Sequence, residues 1–186
     1  MPRTIAIGAF FSVLIVSVPL TAQVVQQYWS VVASTGIADE SSISKVSFAD
    51  AGSAFFKSSA TGTIQLRYPV IPSGELEKIK NGESEGFFCL DVIYRDTGPG
   101  SRVIVRLLST DGEFLTEHMT FNSDTLPPTG TAYESNGNMG DPVCGSPDFF
   151  NTTSRAYFVE VRLTKTTSTA NPGVRVIKIL DSQQFD

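Results

Sequence analysis

Ala156-Tyr157-Phe158-Val159-Glu160-Val161-Arg162-Leu163-Thr164-Lys165 is the stretch that decides the fold class. Tyr157, Val159, Val161 and Leu163 share one parity, and Phe158, Glu160, Arg162 and Thr164 share the other. Side chains of an extended strand alternate between faces, so this run is a strand with one face in a core and one toward water. The same period continues outward from it. Residues 86–96 set Phe88, Leu90, Val92 and Tyr94 against Phe87, Cys89, Asp91, Ile93 and Arg95. Residues 102–109 set Val103, Val105 and Leu107 against Arg102, Ile104, Arg106 and Leu108, and residues 113–121 set Leu115, Met119 and Phe121 against Phe114, Thr116, His118 and Thr120. Shorter strands are expected at 27–34, with Trp29 in the core, and at 45–48, 54–57, 61–70 and 174–180.

Turn chemistry separates these runs. Thr110-Asp111-Gly112-Glu113 joins two of them as a hairpin, because Asp-Gly accepts the positive φ of tight turns. Asn171-Pro172-Gly173 predicts a second hairpin between the last two strands, and Thr97-Gly98-Pro99-Gly100 turns the chain after the Cys89 strand. Only residues 73–80, with Leu76 and Ile79 three apart, read as a short helix. Roughly eight to ten short strands with turns at this spacing predict an all-β, antiparallel β-sandwich, jelly-roll or immunoglobulin-like, with one short helix at most.

Composition narrows compartment and partners. The formal net charge is −5 and there is no Lys/Arg run, so the electrostatic drive for nucleic-acid binding is missing. Arg3, the apolar residues 5–18 and Pro19-Leu20-Thr21-Ala22 have the pattern of a secretory signal peptide over residues 1–22. The apolar run is shorter than the roughly 20 residues that span a bilayer, so no membrane span is expected after cleavage. Residues 23–186 then form one secreted domain, extracellular or periplasmic. In that setting Cys89 and Cys144 are expected to form a disulfide.

Residues 122–154 interrupt the alternation with Gly, Pro, Asn and Ser, and long connections of this kind are often functional. Cys144 lies here, so the bridge should lay this connection over the Cys89 face of its strand. Tyr133, Phe149 and Phe150 are the aromatic candidates for a sugar-binding platform, although an aromatic pair can equally plug the edge of a sandwich. No cofactor is expected; among metals calcium suits the oxygen-rich Asn136, Asn138 and Asp141, or Asp39, Glu40 and Asp50, though Asn-Gly-Asn is also ordinary turn chemistry. His118, the single histidine, shares a face with two threonines and lacks a nucleophile motif. Asp91, Glu117 and Glu160 could form a glycosidase carboxylate pair, but cross-strand pairing with Arg102, Arg106 and Arg162 is the simpler expectation. Asn151-Thr152-Thr153 is a glycosylation sequon.

Residues 60–70 (Ala-Thr-Gly-Thr-Ile-Gln-Leu-Arg-Tyr-Pro-Val), 155–163 and 173–179 resemble a group of uncharacterised bacterial exported proteins. The resemblance implies an exported β-sandwich and transfers no functional residue. The expected function is a non-enzymatic binding or surface-interaction role toward a glycan or another surface protein. A carbohydrate-binding module and a carboxylate-dependent glycoside hydrolase are the alternatives.

Overall fold

The computed structural model describes residues 27–71, 88–140, 143–145, 150 and 153–181. The expected signal peptide over residues 1–22, the expected helix at 73–80, Phe149, Asp141 and the start of the sequon lie outside the described residues. The strands run β1 Gln27–Val32, β2 Ile37–Ala38, β3 Val46–Phe48, β4 Ala54–Phe56, β5 Gly62–Val70, β6 Phe88–Arg95, β7 Ser101–Thr110, β8 Leu115–Asn122, β9 Glu134–Ser135, β10 Val143–Gly145, β11 Ala156–Lys165 and β12 Gly173–Asp181. One four-residue α-helix, α1 Glu40–Ile43, lies between β2 and β3. No helix among the described residues is long and apolar enough to cross a membrane.

Two antiparallel sheets result, as the alternation predicts. A five-stranded sheet has the order β2-β5-β11-β7-β8, and a seven-stranded sheet has β10-β6-β12-β4-β3, with β1 also on β12 and β9 also on β6. β11 lies at the middle of the first, and its inward Tyr157, Val159, Val161 and Leu163 are buried with Ile64, Leu66 and Tyr68 from β5 and Val103, Val105 and Leu107 from β7. Phe88, Leu90, Val92 and Tyr94 of β6 and Ile177 and Ile179 of β12 close the core from the other sheet. Each such aliphatic side chain stabilises by about 1.5–3 kcal/mol on burial, which is why the parity of these strands is fixed.

Three expectations are corrected. Asn171-Pro172-Gly173 does not close a hairpin: β11 already pairs along both edges, with β5 and with β7, so β12 has no edge to join and crosses to the other sheet beside β6. The 122–154 connection covers the Cys89 face of β6 only in part, through Tyr133 at Arg95 and Ser135 at Asp91. Its β9 and β10 pair along the edge of β6, with Cys144 opposite Cys89 and the two bridged.

β8 also departs from its expected alternation. Leu107 pairs with Met119 and Leu108 with Glu117, so His118 is the extra residue of a β-bulge. Simple alternation therefore fails there. Thr120 stays on the outer face opposite Arg106, Thr116 moves opposite Ser109, and Leu115, expected inside, is exposed beside exposed Phe114. The β7–β8 turn itself is wider than two residues, with Gly112 at φ 101° and the Asp111 carboxylate accepting the Glu113 and Phe114 N–H groups at 3.0 and 2.8 Å. Those two bonds hold the Asp111 carboxyl below the usual range.

Candidate functional site

Tyr133 stands just before β9, on the outer side of the seven-stranded sheet. Two guanidinium carbons lie over its ring, that of Arg95 from β6 at 4.8 Å and that of Arg175 from β12 at 4.2 Å from the centroid. Arg95 also lies 5.9 Å from the Phe55 centroid, and its Nε donates to the Asn171 carbonyl at 2.9 Å. The Arg175 Nε donates to Ser53 Oγ at 3.3 Å. Both planar forks are thereby fixed, and neither has an acidic partner among the described residues. Gly173 makes room for the ring, since a Cβ there would come within 2.6 Å of the Tyr133 hydroxyl.

The face continues along the sheet. The Lys178 ammonium meets Asp91 at 3.0 Å, and Ser135 donates to the other oxygen of the same carboxylate. Across the molecule the arginines of the five-stranded sheet are all matched: Arg102 with Asp124, Arg106 with Glu117 and Glu160, and Arg67 and Arg162 with Glu160. Of the cross-strand pairings expected for Arg102, Arg106 and Arg162, Arg106 makes its own with Glu117 and Glu160, whereas Arg102 meets Asp124 beyond the end of β8 and Arg162 meets Glu160 of its own strand. Asp91 lies in the opposite sheet from Glu117 and Glu160, which share one guanidinium, so these carboxylates do not flank an open cleft.

The other sequence candidates fall differently. Phe150 is 2% exposed, with its ring centroid 5.1 Å from that of Phe88 and 4.7 Å from that of Tyr157. It closes the core, as the edge-plug alternative anticipated, and offers no surface to a sugar. Asn136 is 0% exposed. Its Oδ1 accepts from Val92 N at 2.7 Å and its Nδ2 donates to Leu90 O at 3.1 Å, so the side-chain amide acts as one more rung beside β6. An oxygen so occupied is poorly placed for calcium, and Asn138 is exposed beyond it. Asp39 of the other oxygen-rich patch is engaged by Ser41 and Ser42, and its pKa is lowered chiefly by the Ser42 hydroxyl.

One juxtaposition was not legible in the sequence. The bulge turns His118 toward Ser109, with Nε2 2.8 Å from Oγ. Arg155 Nη1 donates to the same Oγ at 3.3 Å and to Thr116 Oγ1 at 3.0 Å, and the Tyr157 ring lies 5.6 Å from the imidazole. The spacing resembles a nucleophile and its base. Ser109, however, is 0% exposed, and a cation stands on its hydroxyl.

Burial, and then the Arg155 charge, push the His118 pKa below 6.5. The unfolded chain therefore takes up this proton first as pH falls, and folded-state stability is lost from about pH 6.5 downward. Urea midpoints at about pH 7.5 and about pH 5.5 are expected to differ more for wild type than for His118→Asn. Parallel losses in the two proteins would sink this assignment.

No protein-family model matches this chain, and no curated protein does.

Proposed function

We propose that this is an exported, non-enzymatic β-sandwich protein that binds an anionic surface ligand on the outer face of the seven-stranded sheet, at Tyr133 with Arg95 and Arg175. The observation that carries the reading is the pair of guanidiniums stacked on one ring with no acidic partner among the described residues, in a chain of net charge −5. Among the described residues, Asp124, Glu117 and Glu160 match the arginines of the five-stranded sheet and Asp91 matches Lys178, while none meets Arg95 or Arg175. Guanidinium forks are suited to carboxylates and sulfates, which they bind bidentately.

Export is supported by the leader pattern and by the Cys89–Cys144 bridge, which a reducing compartment would not maintain. A non-enzymatic role is supported by the burial of Ser109 and by the engagement of Glu160 with its donors. A carbohydrate module is the second reading, favoured by Tyr133 itself. A saccharide would meet the guanidiniums stacked on the ring rather than a bare aromatic face, so acidic sugars fit better than neutral ones.

Retention on immobilised acidic glycans, neutral glycans and an acidic peptide, at about 0.15 M salt, tests this. Wild type is expected to be held by an acidic surface and to weaken about tenfold or more in Arg175→Gln and Tyr133→Ala, since each loses a charge-assisted or stacked contact. Retention only by neutral glycans would favour an ordinary sugar-binding module. Failure on every surface would count against the reading.

A further inference from the structure

Lys165 ends β11 on the same parity as Tyr157, Val159, Val161 and Leu163, and it is 3% exposed. Its ammonium donates to the Ser58 carbonyl at 3.1 Å and lies 6.0 Å from the Phe56 ring centroid. An ammonium carries three donors, and no carboxylate among the described residues neutralises this one. One carbonyl leaves two of those donors to be met, whereas a Met or Leu here would simply extend the apolar row.

The surroundings supply a reason for the charge. Lys165 lines a cavity of about 270 Å³ together with Phe55, Phe56, Ser58, Ser168 and Thr169. Asn171 also lines it, and Arg95 is fixed against two of these walls, over Phe55 and bonded to the Asn171 carbonyl. The cavity thus has aromatic walls, serine and threonine residues at its margin, a buried lysine in its lining, and against its wall a guanidinium with no acidic partner among the described residues.

We propose that this cavity binds the oxyanion of a small organic acid, with Lys165 as its counter-ion and the Phe55 and Phe56 rings against the acid's body. The volume lies just below the roughly 300–1,000 Å³ of sites for drug-sized ligands, so one ring bearing one acidic group is the matching size. Nothing in this assignment requires Tyr133.

The full chain, labelled with ¹⁵N, is titrated with sodium benzoate, sodium glucuronate and phenyl phosphate, with sodium chloride at equal ionic strength as control. The expected result is saturable shifts of amides at 55–58 and 165–171, absent with chloride, and an affinity at least about tenfold weaker in Lys165→Met. Lys165→Met keeps the stem and removes a buried charge, so it is expected to melt no lower than wild type. If that variant does not fold, the double variant Ser168→Ala/Thr169→Ala serves instead, with weakened binding expected. Benzoate alone would identify an aromatic acid, glucuronate alone a sugar acid, and phenyl phosphate alone a phosphate ester; each supports the site. No saturable shift from any of the three overturns the proposal. So does affinity unchanged in Lys165→Met, or in the double variant where that stands in. Tyr133→Ala is expected to leave this titration unaltered, which separates its outcome from that of the surface reading.

Discussion

Glu160→Ala should lower stability by about 3 kcal/mol, the low end of the range for removing one partner of a buried ion pair. The Glu160 side chain is 5% exposed, accepts from Gln65 Nε2 and Arg106 Nη2, and has Arg67 and Arg162 nitrogens 3.8 and 3.7 Å away. Without it three guanidiniums face one another around a void at the middle of the five-stranded sheet. Arg67 and Arg162 are largely exposed, so solvent screens part of their repulsion, and the lower bound is the appropriate one. At roughly 2–4 °C per kcal/mol for a domain of this size, the melting temperature should fall by roughly 10 °C. Glu160→Gln keeps the shape and should fall less. The double variant Glu160→Leu/Arg106→Met should recover part of the loss, because it removes charge from both sides of the buried pair. Thermal melts of the three variants that place Glu160→Ala within a degree or two of wild type would show that this carboxylate is not a structural counter-ion, and would reopen a catalytic role for it.

Removing the bridge is the second large effect. Cys89 and Cys144 are 55 residues apart, and in the chain-entropy model a loop of that length contributes about 4 kcal/mol by restricting the unfolded chain. The bridge also fastens β10 to β6, at the far side of the connection that begins after β8 and carries Tyr133. Cys89→Ser/Cys144→Ser should therefore melt about 10 °C lower, and wild type in excess dithiothreitol should melt with it. Asn136 and β9 remain on β6, so part of the Tyr133 surface should survive. Identical melts for oxidised and reduced wild type would contradict this contribution.

Most of the fold was legible because parity is robust where a strand is buried on one side. β11 has the limits its alternation sets, and the parities of β5, β6 and β7 are those of the sequence. What escaped depends on contacts between distant strands. A single extra residue at His118 reverses the parity of half of β8, and no local residue type announces it. β9 and β10 are too short for a period to show, so their segment read as loop. Asn136 looked like a turn residue or metal ligand, yet its amide is a backbone surrogate, visible only once β6 stands beside it. Glu160 falls on the polar parity but is buried by three arginines brought in from β5, β7 and its own strand.

The candidate sites were less legible still. Tyr133 is recognisable in the sequence as a surface aromatic, but the guanidiniums that give it a preference come from β6 and β12. Lys165 did carry a sequence signal: it stands two residues after Leu163 on the inward parity, where an apolar residue is the norm. Its meaning required the cavity beside it.

The arginine side-chain Nε resonances provide the most direct measurement, followed by NMR while an oligomer of glucuronate is added. The expected result is that Arg95 and Arg175 shift and saturate together, while Arg67, Arg102, Arg106 and Arg162, already matched with carboxylates, stay in place. Shifts confined to the matched arginines of the five-stranded sheet, or none at Arg95 and Arg175, would contradict the placement of the binding surface.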